Sequence, residues 1–200
     1  PTETIDCDLV YEYSLGPDDD FLTIDVTILY RGTKKLKIDM MEAAFIMGDG
    51  LKSYFEGPGF DDSAHSGAFP YWMGMGDRLS YGLLGEGDLQ MYGAYSAIAF
   101  GPYPALEMLG GDEITLRRTF AVADGGIDQV QGILRGLGPP QPTGTLAGSV
   151  QAMAQAFERG VRVHVLVDSN RHFSVLSVPP GGTTFQAELR HHLKEFCGRP

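Results

Sequence analysis

Two hundred residues with 43% hydrophobic content, and 26 acidic side chains against 15 basic ones, describe a globular chain long enough to bury its own core and carrying a formal charge of −11. Such a surface repels phosphate backbones and anionic headgroups, which argues against nucleic acid and membrane insertion. No apolar run approaches the ~20 residues of a membrane-spanning helix.

The first elements are the clearest. Leu9, Tyr11 and Tyr13 alternate with Val10, Glu12 and Ser14; Gly16-Pro17-Asp18-Asp19-Asp20 is a turn cluster; Leu22, Ile24, Val26 and Ile28 then alternate with polar neighbours. Period-two apolarity on both sides of a turn predicts a β-hairpin with one buried face. The three aspartates are read as solvated turn residues, with Ca2+ as the weighed alternative, because the D-x-D-x-D-G spacing of a calcium loop is absent.

Ile38 to Met47 fits helix or strand equally, and Gly48-Asp49-Gly50 stops it. Residues 57–70 read as loop, followed by Tyr71-Trp72-Met73 with the single tryptophan. Leu79–Leu84 and Leu89–Phe100 read as two further strands. Glu113–Val122 alternates again, placing Ile114, Leu116, Arg118 and Phe120 on one face. Ile127, Val130, Ile133, Leu134 and Leu137 recur at helical spacing and predict one amphipathic helix, opened near Asp124 and ended by Gly136 or Gly138.

Pro139-Pro140-Gln141-Pro142 favours an extended spacer. The expected organisation is a β-sandwich domain over 1–138, a Pro-rich linker over 139–144 and a small second β-sandwich module over 145–200. In that last part, Thr145–Val150, Val161–Val167, Phe173–Val178 and Thr184–Leu189 read as strands, and Gln151–Arg159 as locally helical. The fold class is therefore mainly β and antiparallel, with one short helix. Many glycines and prolines between short apolar runs point the same way.

Candidate chemistry is sparse. Tyr54, Phe60, Tyr71 and Trp72 form an aromatic group able to stack on sugar C–H faces, or to pack as core. Asp61, Asp62 and His65 could form a small metal or acid/base cluster, or stand as a polar surface loop. Cys7 and Cys197 are read either as two unrelated thiols or as a disulfide tying the ends together, which would imply an oxidising compartment. His191-His192 is a poor bidentate site, since adjacent side chains diverge. Neither a Gly-x-Ser-x-Gly elbow nor a phosphate-binding Gly-Lys-Ser/Thr loop is present, so no catalytic residue and no cofactor are assigned. Pro1 opens directly into polar sequence with no apolar leader, and the expectation is a matured or fragmentary chain.

Two resemblances follow from these residues. Gly144–Val150, Gly160–Val165, Asp168, Phe173–Val175 and Val178-Pro179-Pro180-Gly181 resemble a carboxypeptidase regulatory-like domain, a small β-sandwich that accompanies secreted proteins. The departures are the helical pattern over 151–159 and a short 168–172 segment. The hairpin Tyr11–Tyr30, Gly57-Pro58-Gly59-Phe60, Gly76–Gly82 and Gly111-Asp112-Glu113 resemble the second half of a galactose-mutarotase-like supersandwich. Together these resemblances imply a non-catalytic accessory or structural domain of a secreted or cell-envelope protein. Its partner would be a glycan or a protein. The alternatives are a fragment of a larger extracellular hydrolase, and a self-assembling surface protein forming a homo-oligomer through strand edges.

Overall fold

The structure, a computed structural model, describes residues 5–39, 41–45, 51–55, 59–60, 65–94, 97–137, 143–151, 160–168 and 171–190. The chain is mainly β, with one helix among the described residues. In order come β1 (Cys7–Ser14), β2 (Phe21–Tyr30), β3 (Leu36–Ile38), β4 (Glu42–Phe45), β5 (Lys52–Phe55), β6 (Gly59–Phe60), β7 (His65–Met75), β8 (Leu79–Ala94), β9 (Ala97–Pro102), β10 (Leu106–Met108), β11 (Glu113–Asp124), α1 (Ile127–Leu137), β12 (Thr143–Ser149), β13 (Val161–Asp168), β14 (Arg171–Val178) and β15 (Thr184–Arg190). A nine-stranded sheet runs β1-β2-β11-β8-β7-β5-β6, with β9 on β8 and β4 on β9; β3–β10, β12–β15 and β13–β14 form separate ladders. Every pairing among the described residues is antiparallel. No described helix is long and apolar enough to cross a membrane.

The predicted hairpin is β1–β2, in unbroken register from Cys7↔Tyr30 to Ser14↔Thr23. Asp19 closes its turn by accepting from Gly16 N–H at 2.8 Å. Val26, Ile28 and Tyr30 are buried, and Met108, Leu36 and Ile38 pack with Ile28 and Tyr30 in one cluster. Periodicity thus named the buried face of β2 correctly. It does not hold for β1, whose apolar residues stand exposed at the end of the sheet.

The ambiguous 38–47 run resolves into strand, ending β3 and forming β4, which pairs with β9. The loop expected over 57–70 is replaced from His65 onward by β7, a partner of β8. Leu79–Leu84 and Leu89–Ala94 are two halves of one strand, joined through Gly85-Glu86-Gly87-Asp88. The reason lies across the ladder. Phe69 pairs Leu89 and Tyr71 pairs Leu84, so Pro70 alone faces the four residues Gly85–Asp88. Proline has no N–H to offer, and the partner strand bulges and bends there. The bend folds Leu89 back over Gly85, where an added Cβ would lie 2.7 Å from Leu89 Cδ2.

This bend creates the main core. Trp72, Tyr81 and Leu83 before it meet Leu89, Met91, Ile98 and Phe100 after it, with Leu51 and Phe55 alongside. On the sheet's other side, α1 lays Ile127, Val130 and Leu134 on Tyr54, Tyr71, Met73, Met75 and Ala121. The helix is the one predicted, starting at Ile127 rather than near Asp124 because β11 continues to Asp124 and Gly125 turns the chain at φ +97°. Ser80 Oγ donates to Gly126 O at 2.9 Å, fixing the helix entry to β8.

Gly82 sets how closely α1 approaches. A Cβ there would meet Val130 Cγ1 at 2.4 Å and Leu134 Cδ1 at 3.1 Å. Gly82→Ala is expected to cost about 1–3 kcal/mol through overpacking. Equilibrium urea unfolding measures this, and an unchanged midpoint would mean that the helix sits further from the sheet.

The four C-terminal strands lie where the sequence reading placed them, and the structure pairs β12 with β15 and β13 with β14. After β14, Pro179 O accepts from Gly182 N–H at 2.9 Å, and Gly181 takes φ +77°. Leu176 and Val178 are buried, β14 lies against α1 and β6, and Arg162 donates to Asp77 O at 2.6 Å. Of the Pro-rich linker expected over 139–144, residues 139–142 lie outside the described residues, whereas Thr143 and Gly144 already belong to β12; of the helical stretch read over 151–159, residues 152–159 lie outside them as well.

Candidate functional site

The sequence-predicted aromatic group does not form a platform. Trp72 is 1% exposed in the core between the sheet halves, while Tyr54 and Tyr71 are buried against α1. They therefore face opposite sides of the sheet. Phe60 pairs with Tyr54 in the β5–β6 ladder. Stacking a sugar on Tyr54, Tyr71 or Trp72 would require opening a core. The physical reason is ordinary: these large rings fill space where the sheet bends and where the helix lands.

Of the predicted metal group, Asp61 and Asp62 lie outside the described residues. His65 begins β7, half-buried, its ring tilted 59° to that of Phe55 with centroids 5.4 Å apart. Among the described residues no group of three or more His, Cys, Asp or Glu is gathered to hold a metal ion. Cys7 has no disulfide partner among the described residues, and Cys197, its expected partner, lies outside them. Burial first, then Asp8 and Asp6, push the Cys7 thiol upward, so it stays protonated and is a poor nucleophile.

Two features emerge that were not singled out from sequence. The first is a buried ion pair. Arg118 on β11 is 3% exposed, and its Nε lies 3.7 Å from Glu42 Oε2 on β4, too far for a hydrogen bond. Arg118 Nη1 donates to Arg117 O at 3.1 Å. Its Nε and Nη2, and Glu42 Oε2, are buried without a hydrogen-bond partner among the described residues. Burial holds the Glu42 carboxyl above its usual range, against the pull of Arg118. Burial likewise lowers Arg118, against Glu42, Glu86 and Tyr11. The pair bridges β11 and the β4–β9 arm. It can hold those elements in register, and Arg118 also borders an open cleft.

Beside β11 lies an open cleft of about 420 Å3, formed where the β8 bulge (Glu86–Leu89) faces the Pro102–Glu107 connection. Glu86, Asp88, Glu107, Arg117 and Arg118 are its charged groups, and Arg117 and Glu107 among them are paired. Arg117 makes a two-point bond to Asp25, 2.8 Å on each arm, and Glu107 pairs with Lys35 at 2.5 Å. Asp25 is held below its usual range chiefly by that Arg117 hydrogen bond.

The second feature is the free edge of β1. Leu9 (52% exposed), Val10 (53%) and Tyr13 (64%) are open to solvent, with Tyr11, Ile5 and Leu15 also exposed. Tyr11 and Tyr13 stack with ring centroids 6.4 Å apart. Burial, Glu42 and Tyr13 raise the Tyr11 phenol, opposed by Arg118, so it remains an O–H donor. Arg31 N–H donates to Asp6 O at 2.9 Å where the ladder begins. Antiparallel alternation then turns the even residues of β1 toward β2, and sends N–H and C=O of Cys7, Leu9, Tyr11 and Tyr13 outward. An eight-residue strand whose outward backbone groups have no strand partner among the described residues, and whose apolar side chains are exposed, is a template for another strand. The sequence signal was present as the alternation itself, but alternation gives the period of a strand and not its place in the sheet. The chain matches no protein-family model, and no curated protein matches it.

Proposed function

We propose that this chain is a non-catalytic structural module of the secreted or cell-envelope kind, which works by adding a protein strand to the free edge of β1. The observation that carries the reading is that edge: four consecutive outward-facing backbone positions, Cys7, Leu9, Tyr11 and Tyr13, flanked by exposed Leu9, Val10 and Tyr13. Main-chain bonds supply the affinity in strand addition and alternate side chains supply selectivity. The acidic surface and the absence of a nucleophile–base pair in the motifs of the sequence support a binding role over a reaction.

Tyr11→Pro tests it. Proline at an outward position deletes the free edge donor and leaves the β1–β2 bonds intact. The native protein is expected either to associate with itself or to bind a fluorescent eight-residue peptide of alternating Val and Thr, read by anisotropy, and Tyr11→Pro is expected to lose this. A native protein that stays monomeric and binds no strand peptide overturns the reading.

A further inference from the structure

Building on that reading, we infer that the strand received by β1 is β1 of a second copy, paired antiparallel about a two-fold axis through Tyr11. The argument is one of register. Because the odd residues of β1 point their N–H and C=O outward, two copies bond only when odd residues face odd residues. Four registers overlap five or more of the eight strand residues, centred on Leu9, Val10, Tyr11 or Glu12, and centring on Leu9 sets Asp6 against Glu12 of the second copy. Centring on Val10 sets Asp8 against Glu12 of the second copy, twice by symmetry. Centring on Glu12 sets that carboxylate against itself. Like charges directly opposite destabilise a pair. Centring on Tyr11 places Asp8 against Ser14, Val10 against Glu12, Leu9 against Tyr13, and Tyr11 against Tyr11.

That register also joins the apolar residues. Leu9, Tyr11 and Tyr13 share the sheet face of Ile28, Val26 and Ile24, their partners on β2, and of Ile114 and Leu116 beyond. Val26 and Ile28 are fully buried, whereas their neighbours on β1 are exposed. In the pair, each Leu9 gains an aromatic neighbour and the stacked Tyr11–Tyr13 rings of the two copies form one row. Asp8 is already matched to Arg31 within its own chain, so no new partner for it is required. A patch that complements itself in this way is the mark of an isologous two-fold interface, which closes at two copies.

Cross-linking decides the register. In a Cys7→Ser/Cys197→Ser background, the thiol of Tyr11→Cys faces its symmetry mate across a hydrogen-bonded pair, whose Cα atoms lie about 5.5 Å apart. That is within the roughly 4.4–6.8 Å span of a disulfide. Mild oxidation is expected to give a covalent dimer from Tyr11→Cys. Leu9→Cys or Tyr13→Cys alone is expected to give none, and the two mixed are expected to give a heterodimer. Leu9→Lys/Tyr13→Lys sets ammonium groups opposite each other only in the dimer, and is expected to weaken dimerisation about tenfold or more in sedimentation equilibrium, with an unchanged circular dichroism spectrum. A Leu9→Cys homodimer, or a dimer indifferent to the lysines, overturns the inference. A protein that stays monomeric yet binds the strand peptide also overturns it, and leaves the broader strand-addition reading standing.

Discussion

Trp72→Ala is expected to remove about 3–5 kcal/mol of unfolding free energy, the usual cost of deleting a large buried ring. Trp72 is 1% exposed and packs among Phe55, Tyr81, Leu83, Leu89, Met91 and Phe100, residues from both sides of the β8 bend. The six-membered part of its indole lies over Gly74, where an added Cβ would sit 2.7 Å from Trp72 Cη2. The site is thus shaped around the ring, and neighbours held by the sheet can fill only part of the void. Against a typical domain stability of about 5–15 kcal/mol, such a loss leaves a marginal fold. Guanidinium unfolding followed by far-ultraviolet circular dichroism measures it. A cost below about 1 kcal/mol would show that the ring does not tie the two halves together.

The second large effect runs the other way. Glu42→Leu/Arg118→Met is expected to raise stability by about 1–4 kcal/mol, because a buried ion pair often returns less in attraction than its desolvation costs. Here the pair is at 3.7 Å, with three buried polar atoms unpartnered among the described residues. Both members are shifted toward their neutral forms, chiefly by burial. The pH dependence has a definite sign. Glu42's carboxyl is raised in the folded chain, so the fold holds that proton more tightly than the unfolded chain does. Its contribution favours the fold at acid pH, below the ordinary carboxylate range, and is lost as pH rises through the raised value. The gain of the double variant over the native protein is therefore greatest at neutral pH and shrinks on acidification. The charged and titratable groups nearest the pair, Tyr11 and Glu86, are present in both proteins. Urea midpoints across pH 4–8 measure the effect, and a double variant less stable than the native protein at every pH would show that the pair is a net stabiliser.

The secondary structure was legible wherever period and face coincided. Val26 and Ile28 on β2, and Ile127, Val130 and Leu134 on α1, are buried as their spacing indicates. Misreadings cluster at glycine and proline. Gly85 and Gly87 looked like a break between strands, yet they bend one strand opposite Pro70. Gly67 and Pro70 likewise disguised the first half of β7 as loop. Composition could not say whether aromatic residues face solvent or core, and three of the four in the proposed sugar platform proved to be packing. Arg118 did leave a trace, as a charged residue on the face shared by Ile114, Leu116 and Phe120. Its partner Glu42 sits 76 positions away on another strand, and only the folded sheet brings the two together.

The length of β8 has a consequence for how this molecule comes apart. Leu79–Gly85 is bonded to β11, Leu89–Ala94 to β9, and β7 runs beside both. Each half of that one strand is thus the neighbour that shields the other. Local opening on either side strips backbone bonds from the same continuous segment and uncovers the common interior. The two halves of β8 are therefore expected to come undone together, in one transition and not in two successive ones.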